Sequence, residues 1–218
     1  MFQVNGMDVP TSLDELLEPR KVALIVYDMQ VAITKQISDR ERVLAQVGRV
    51  LESARQSKVR TFFTRHMSLP RELMGSMQYR TAMAWQHAED PAHIKSPFLR
   101  SSPGFAIVPE LQPLESEAVF DKITMSAFEG TPLAIALRDC GVRAVVIVGI
   151  ATEIGIEPTA RHAADLGFVP ILARDACGHG KADAAERSWQ SLTFAGDAMI
   201  TDAARVCAAW SKRGEPLT

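Results

Sequence analysis

Runs of branched aliphatic residues alternate along the chain with stretches whose apolar positions recur every three to four residues, and this rhythm sets the expected fold. Val22 to Tyr27 reads as a buried strand, after which Val43, Val47, Val50, Leu51 and Ala54 recur at helical spacing across a charged segment. Val59 to Thr64 predicts a second strand, Ala118 to Asp121 a short third, Leu133 to Leu137 a helix, and Ala144 to Val148 the most hydrophobic strand. A helix from about Glu153 to Leu166 stops at Gly167, Val169 to Ala173 is a fifth strand, and Ala182 to Phe194 another helix. Ala198 to Thr201 gives a sixth strand, and Asp202 caps the final helix. Strands separated by helices require right-handed crossovers, so the expected class is α/β: a three-layer α/β/α sandwich with a central, mainly parallel six-stranded sheet of Rossmann-like type. Its functional residues belong at the carboxyl ends of the strands.

The rhythm breaks from Met67 to Pro113, a stretch carrying Pro70, Pro91, Pro97, Pro103, Pro109 and Pro113 with Met74, Met77, Met83, Trp85 and Phe98 between them. Linkers seldom hold so many large apolar groups, which points to a pocket lid or a subunit contact. The 218 residues, 47% hydrophobic, fall within the range of one α/β domain, here residues 1–218 with residues 1–19 as an N-terminal extension. A formal net charge of -2 and the lack of a basic run offer nothing to nucleic acid or to an anionic membrane. The expected partners are a small-molecule substrate and further copies of the chain, as a dimer or tetramer. Cys140, Cys177 and Cys207 are odd in number and lack C-x-x-C spacing, which argues against disulfides and structural zinc and for reduced thiols in the cytoplasm. The acidic start, Asp8, Asp14, Glu15 and Glu18, has neither the basic region nor the apolar core of a signal peptide.

Three strand ends carry candidate chemistry. Asp28 follows the first strand, where a carboxylate is partly desolvated and faces the ligand crevice; it is either an acid or base or the cap of a loop or helix. Lys122 follows the third strand and, if the two ends lie side by side, reaches Asp28; otherwise it is one more solvated lysine. Val145 to Val148 breaks at Gly149 and becomes helical through Thr159, Ala160, Ala163, Ala164 and Leu166, which puts Ala151 to Gly155 where a buried strand hands over to a helix, a turn shaped to present a nucleophile but carrying none. No Walker loop, G-x-G-x-x-G fingerprint or G-x-S-x-G elbow is present, and Gln30 stands where a haloacid-dehalogenase-like phosphatase needs a second aspartate, so no nucleotide cofactor or metal is expected.

With Tyr27-Asp28-Met29-Gln30, Lys122 to Phe128, Gly149 to Gly155, Thr159 to Gly167 and Asp175-Ala176-Cys177 in this order and spacing, the chain from about Lys21 to Asp202 resembles the isochorismatase-like hydrolases. That superfamily includes nicotinamidases, N-carbamoylsarcosine amidases and ureidoacrylate-type amidohydrolases. The resemblance implies the same sandwich, a catalytic Asp28 and Lys122, a cis Ile150–Ala151 peptide, and an oxyanion-hole-like pair of amides at Ala151 and Gly155. Gly155 stands where most members carry the nucleophilic cysteine, so a covalent thiol route is not open there. Members acting on vinyl ethers share the glycine, which implies Asp28 as the general acid, Lys122 as its partner, and Gly155 making room for a bulkier ligand or a water. A thiol restored by Gly155→Cys is expected to be reactive. Gln30, Trp85, Phe128, Ala151 and Thr152 are the expected substrate-binding residues; Trp85, Phe128 and Tyr79 serve equally as subunit contacts. His66 lines the pocket without the second histidine of the nicotinamidase metal pattern, and Cys177 reads as a packed thiol. The expected function is cysteine-independent hydrolysis of a vinyl ether, amide or related bond; the alternative is an inactive relative that binds a small molecule or regulates a partner.

Overall fold

The computed structural model describes residues 1–212. An antiparallel hairpin, β1 (Phe2–Val4) and β2 (Met7–Val9), precedes a single turn of helix, α1 (Leu13–Leu16), held by a reciprocal Ser12–Glu15 capping box. Then follow β3 (Val22–Tyr27), α2 (Val31–Thr34), α3 (Arg40–Gln56), β4 (Arg60–His66), α4 (Ser76–Gln86), β5 (Ala118–Lys122) and α5 (Leu133–Asp139). The chain continues through β6 (Ala144–Gly149), a π-helical turn (Thr152–Ile156), α6 (Glu157–Asp165), β7 (Val169–Cys177), α7 (Ala182–Ala195), β8 (Met199–Thr201) and α8 (Ala203–Ser211). The six-strand rhythm of the sequence is the six-stranded sheet of the fold, with order β5-β4-β3-β6-β7-β8 and every pairing parallel. None of the helices among the described residues is long and apolar enough to cross a membrane.

Alternation along the central strands divides the core into two faces. Val22, Leu24 and Val26 of β3 pack with Val43, Val47 and Val50 of α3 and Val206 and Trp210 of α8. Ala23, Ile25 and Tyr27 point the other way, toward Leu133 and Leu137 of α5, Ala160 and Ala163 of α6, and Trp189 and Leu192 of α7. All six residues of β3 and of β6 are buried, which explains why neither strand carries a charged residue. Each fully buried Val, Leu or Ile contributes roughly 1.5–3 kcal/mol, and this apolar anchorage fixes where the polar strand ends come to rest.

The chain builds β3, β4 and β5 outward in one direction and β6, β7 and β8 in the other, so the order reverses between β3 and β6. At such a reversal the flanking loops separate and leave a crevice beyond the strand ends. Gly149 is needed there: its φ is +130°, and a Cβ on it would lie 2.0 Å from the Tyr27 carbonyl oxygen. Residues 67–113 are no linker. Prolines open three of their short 3-10 turns, Pro91–His93, Pro103–Phe105 and Pro109–Leu111, and Ile94, Phe98, Phe105, Ile107 and Leu111 are buried. Hydrogen bonds from Val31 N–H to Ala106 O and from Val108 N–H to Met29 O tie the segment to the chain just after Asp28.

Candidate functional site

Asp28 leaves β3 with a φ of 48°, a left-handed conformation that aspartate tolerates better than most residues. Its N–H still bonds Thr64 O at 3.2 Å, so the turn occurs without losing the ladder to β4. The residue is 4% exposed: one carboxylate oxygen accepts from Thr64 Oγ1 at 2.6 Å, the other from Lys122 Nζ at 2.7 Å. Lys122 does not come from a neighbouring strand, as side-by-side ends require. β4 lies between β3 and β5, and the lysine reaches across its end, where it is paired in register with His66.

The ammonium donates three hydrogen bonds, its full complement: to Asp28 Oδ2, to Tyr27 Oη at 2.8 Å and to Thr124 O at 3.1 Å. Burial pushes Lys122 below the usual lysine range, against the pull of Asp28. Burial, and then the charge of Asp28, raises Tyr27 well above the ordinary phenol value, so its hydroxyl keeps its proton and donates it to Met125 O. His66 stands over this group with its ring edge against Trp85 and Phe98, and burial lowers it to about 4. A cavity of about 480 Å³ opens in front of Tyr27 and Asp28, walled by His66, Trp85, Phe98 and Ala151. A second, of about 290 Å³, adjoins it behind His66, Trp85 and Phe98 and is lined by Met67, Met74 and Met77.

The Ile150–Ala151 peptide is cis, as the resemblance implies. The Gly155 N–H is committed to Ala151 O at 3.0 Å inside the π-helical turn, so the expected pair of free amides is reduced to the one at Ala151, a residue that lines the cavity. Nor does Gly155 leave open room: a Cβ there would lie 2.0 Å from the Tyr27 hydroxyl oxygen. The space beyond Cα is filled by the phenol ring.

Of the expected substrate-binding residues, Trp85 and Ala151 line the cavity and three do not. Gln30 is fully buried, with its amide spent on His66 O, Phe105 O and His66 N–H, so it clamps the end of β4 to the excursion. Thr152 is 1% exposed and binds Gly178 O through both its N–H and its hydroxyl. Phe128 packs between His162 and Phe168 in the core, and the Tyr79 hydroxyl bonds Arg71 O. Cys177 is buried, its thiol directed at Ile147 O and raised far above the usual range by burial.

Tyr27 and Thr64 are the residues that sequence reasoning passes over. Strand parity was the available signal, since Ala23, Ile25 and Tyr27 share the face on which the Gly155 turn sits. Glu153 also borders the cavity, where one oxygen caps Gly180 and Lys181 and the other is buried without a hydrogen-bond partner. Among the described residues, no three His, Cys, Asp or Glu side chains are grouped to hold a metal ion.

Residues 22–205 match the isochorismatase domain family. The chain is 26% identical to the ureidoacrylate amidohydrolase RutB of Rhizobium rhizogenes, over 75% of this chain and 72% of that one. It is 42% identical to the isochorismatase family protein YecD of Escherichia coli O157:H7, over 32% of this chain and 37% of that one. In three dimensions it is similar to a cysteine hydrolase from Pseudomonas syringae, with a TM-score of 0.76 at 20% identity, covering 90% of this chain and 95% of that one. It also resembles the pyrazinamidase of Pyrococcus horikoshii in complex with zinc, with a TM-score of 0.70 at 24% identity, covering 84% and 99%. With the family match spanning most of its length and the same sheet beneath its site, the chain belongs to the isochorismatase family.

Proposed function

We propose that this chain hydrolyses a small molecule without a covalent thiol intermediate, with Asp28 as the general acid and base and Lys122 as its proton partner. The observation that carries the reading is the buried 2.7 Å Asp28–Lys122 pair, whose aspartate lines a largely apolar cavity with no cysteine or serine among the described residues beside it. Burial loosens the lysine's hold on its proton, and the Asp28 carboxylate stands 2.7 Å away to receive it. On a vinyl ether, Asp28 takes that proton from Lys122 and passes it to the terminal carbon, water adds to the resulting cation and returns a proton to the pair, and the hemiketal collapses to a ketone and an alcohol. On an amide or ureido group, Asp28 takes the proton from attacking water instead, the Ala151 N–H receives the developing oxyanion, and the proton is handed to the departing nitrogen as the C–N bond breaks. Similarity to the ureidoacrylate amidohydrolase favours including ureido compounds among the candidates.

The same reading takes the exposed apolar side chains of the excursion, Leu73 and Met77, as contacts with a second copy of the chain in the cytoplasm. One observation favours the rival reading of a binding protein without turnover. All three Lys122 N–H groups are spent inside the protein, so a bound molecule gains none of them unless a bond is exchanged.

A panel of vinyl ethers, amides, ureido compounds and esters, assayed on the wild type and on Asp28→Asn, separates the two. Turnover that falls about 10²–10⁴-fold in the variant while binding persists is the expected result. A compound that raises the melting temperature of the wild type but is never turned over would favour the binding protein. Equal rates in the two proteins would remove Asp28 from the chemistry.

A further inference from the structure

We propose that Tyr27 is the counterpart of Gly155: its phenol oxygen occupies the seat of the missing side chain and positions Lys122, which commits the site to water as the attacking group. The assignment of a positioning role rests on the hydrolase reading; the occupancy of the seat does not. An ideal Cβ on Gly155 lies 2.0 Å from Tyr27 Oη, 2.4 Å from Cζ and 2.5 Å from Cε1, so the ring takes the place of a side chain and does not merely border it. The ring is 2% exposed, with the Lys122 ammonium 4.2 Å from its centroid. Its hydroxyl is held at both ends, accepting from Lys122 and donating to Met125 O. Swinging it aside breaks both bonds and strips the ammonium of one of three acceptors.

Two consequences follow from this geometry. A thiol introduced by Gly155→Cys finds no room beside an intact Tyr27, which overturns the simple expectation that restoring it yields a reactive group. The glycine and the tyrosine therefore act as one unit, and neither change is neutral without the other. In addition, a neutral hydroxyl that accepts from the ammonium favours the charged form of Lys122, so Tyr27 helps to set where the Asp28–Lys122 pair releases its proton.

Seat occupancy is tested by thiol labelling without a substrate. Gly155→Cys and Tyr27→Val/Gly155→Cys are treated with iodoacetamide under native conditions, and alkylation at position 155 is followed by mass spectrometry. The double variant is expected to label about tenfold or more faster, since its thiol lies in the cavity beside an ammonium. Equal labelling of two folded variants would overturn the proposal. If the single variant fails to fold, a melting-temperature cycle of Gly155→Ala and Tyr27→Val replaces it. The alanine is expected to cost roughly 2–4 °C or more beside tyrosine and clearly less beside valine; additive effects would overturn the pairing.

Positioning is tested with Tyr27→Phe, which keeps the ring. Nuclear magnetic resonance titration of the Lys122 Nζ and Cε is expected to move to lower pH in the variant, and the alkaline limb of kcat on any substrate found is expected to move with it. An unmoved lysine titration would overturn the positioning role and leave seat occupancy standing. A moved titration in a protein that turns nothing over would uphold the Tyr27–Lys122 coupling and count against the hydrolase reading alone.

Discussion

Two parallel strands of this sheet end beside an aspartate, and the two carboxyl groups sit in opposite circumstances. Asp28, after β3, is buried against an ammonium from two strands away and faces a cavity. Asp175, near the end of β7, is partly buried and accepts from the N–H of Ala203, the first residue of α8, at 2.7 Å. Its own carbonyl takes a hydrogen bond from Arg42 of α3. One aspartate is held by side chains from two other strands, Thr64 of β4 and Lys122 of β5; the other is built into the start of a helix. A strand-end aspartate is thus not a site in itself. What sets Asp28 apart as a candidate is the left-handed turn that points it over β4 and the lysine that meets it there.

The sharpest way to break this contrast is to remove the cation. Lys122→Met leaves the Asp28 carboxyl buried with Thr64 as its remaining partner, and is expected to cost about 3–5 kcal/mol of unfolding free energy in urea, besides turnover. Combining it with Asp28→Asn should return a large part of that stability and none of the activity, since a buried pair removed whole costs far less than one removed by half. If Lys122→Met alone leaves the urea midpoint unchanged, the pair is not the buried unit described here.

His66 sharpens the contrast in pH. It crowns the Asp28 end of the sheet, is lowered to about 4 by burial, and remains neutral at pH 7. Its unfolded value lies near 6.5, so between about 6.5 and 4 the unfolded chain binds the extra proton. The associated stability is complete above about pH 6.5 and is lost as the pH falls toward 4, by at most about 3 kcal/mol. His66→Gln should flatten that part of the stability curve. An identical pH dependence in the two proteins would show that the histidine is not held neutral by its surroundings.

The difference between the two aspartates is only half legible in the sequence. All six sheet strands can be read from apolar runs, most plainly β3 and β6, where burial on both faces leaves no room for polar residues. Asp28 and Lys122 can be read from their places after such runs. The N-terminal hairpin also has a sequence signal: Asn5-Gly6 is a tight-turn pair, and both residues have positive φ in the structure, within a segment expected only as an extension. Gln30, Thr152 and Phe128 mislead for a physical reason. Residue type reports polarity or bulk, whereas their engagement depends on which backbone groups nearby lack partners, and the irregular ends of β4 and β7 consume the polar ones. Tyr27 is concealed differently: in a strand of aliphatic residues it counts as one more apolar position, and only the missing side chain of Gly155, 128 residues later, gives its hydroxyl a place.

The smallest effects lie at the β7 end and complete the comparison. Asp175→Ala removes an acceptor for the first N–H of α8, worth about 0.5–2 kcal/mol, yet no side chain at the site touches it, so turnover should stay within about twofold of the wild type. Cys177, two residues on, has a thiol raised by burial and turned toward Ile147 O, away from any cavity-facing acid or base. Iodoacetamide at pH 8 should therefore modify the exposed Cys140 and spare Cys177 until the protein is unfolded. Loss of activity in Asp175→Ala, or native alkylation of Cys177 as fast as that of Cys140, would mean that chemistry extends to β7. With neither outcome, the proposed chemistry stays with the ends of β3 and β5, joined across β4 by one lysine, beside a glycine turn after β6 whose open side is filled by Tyr27.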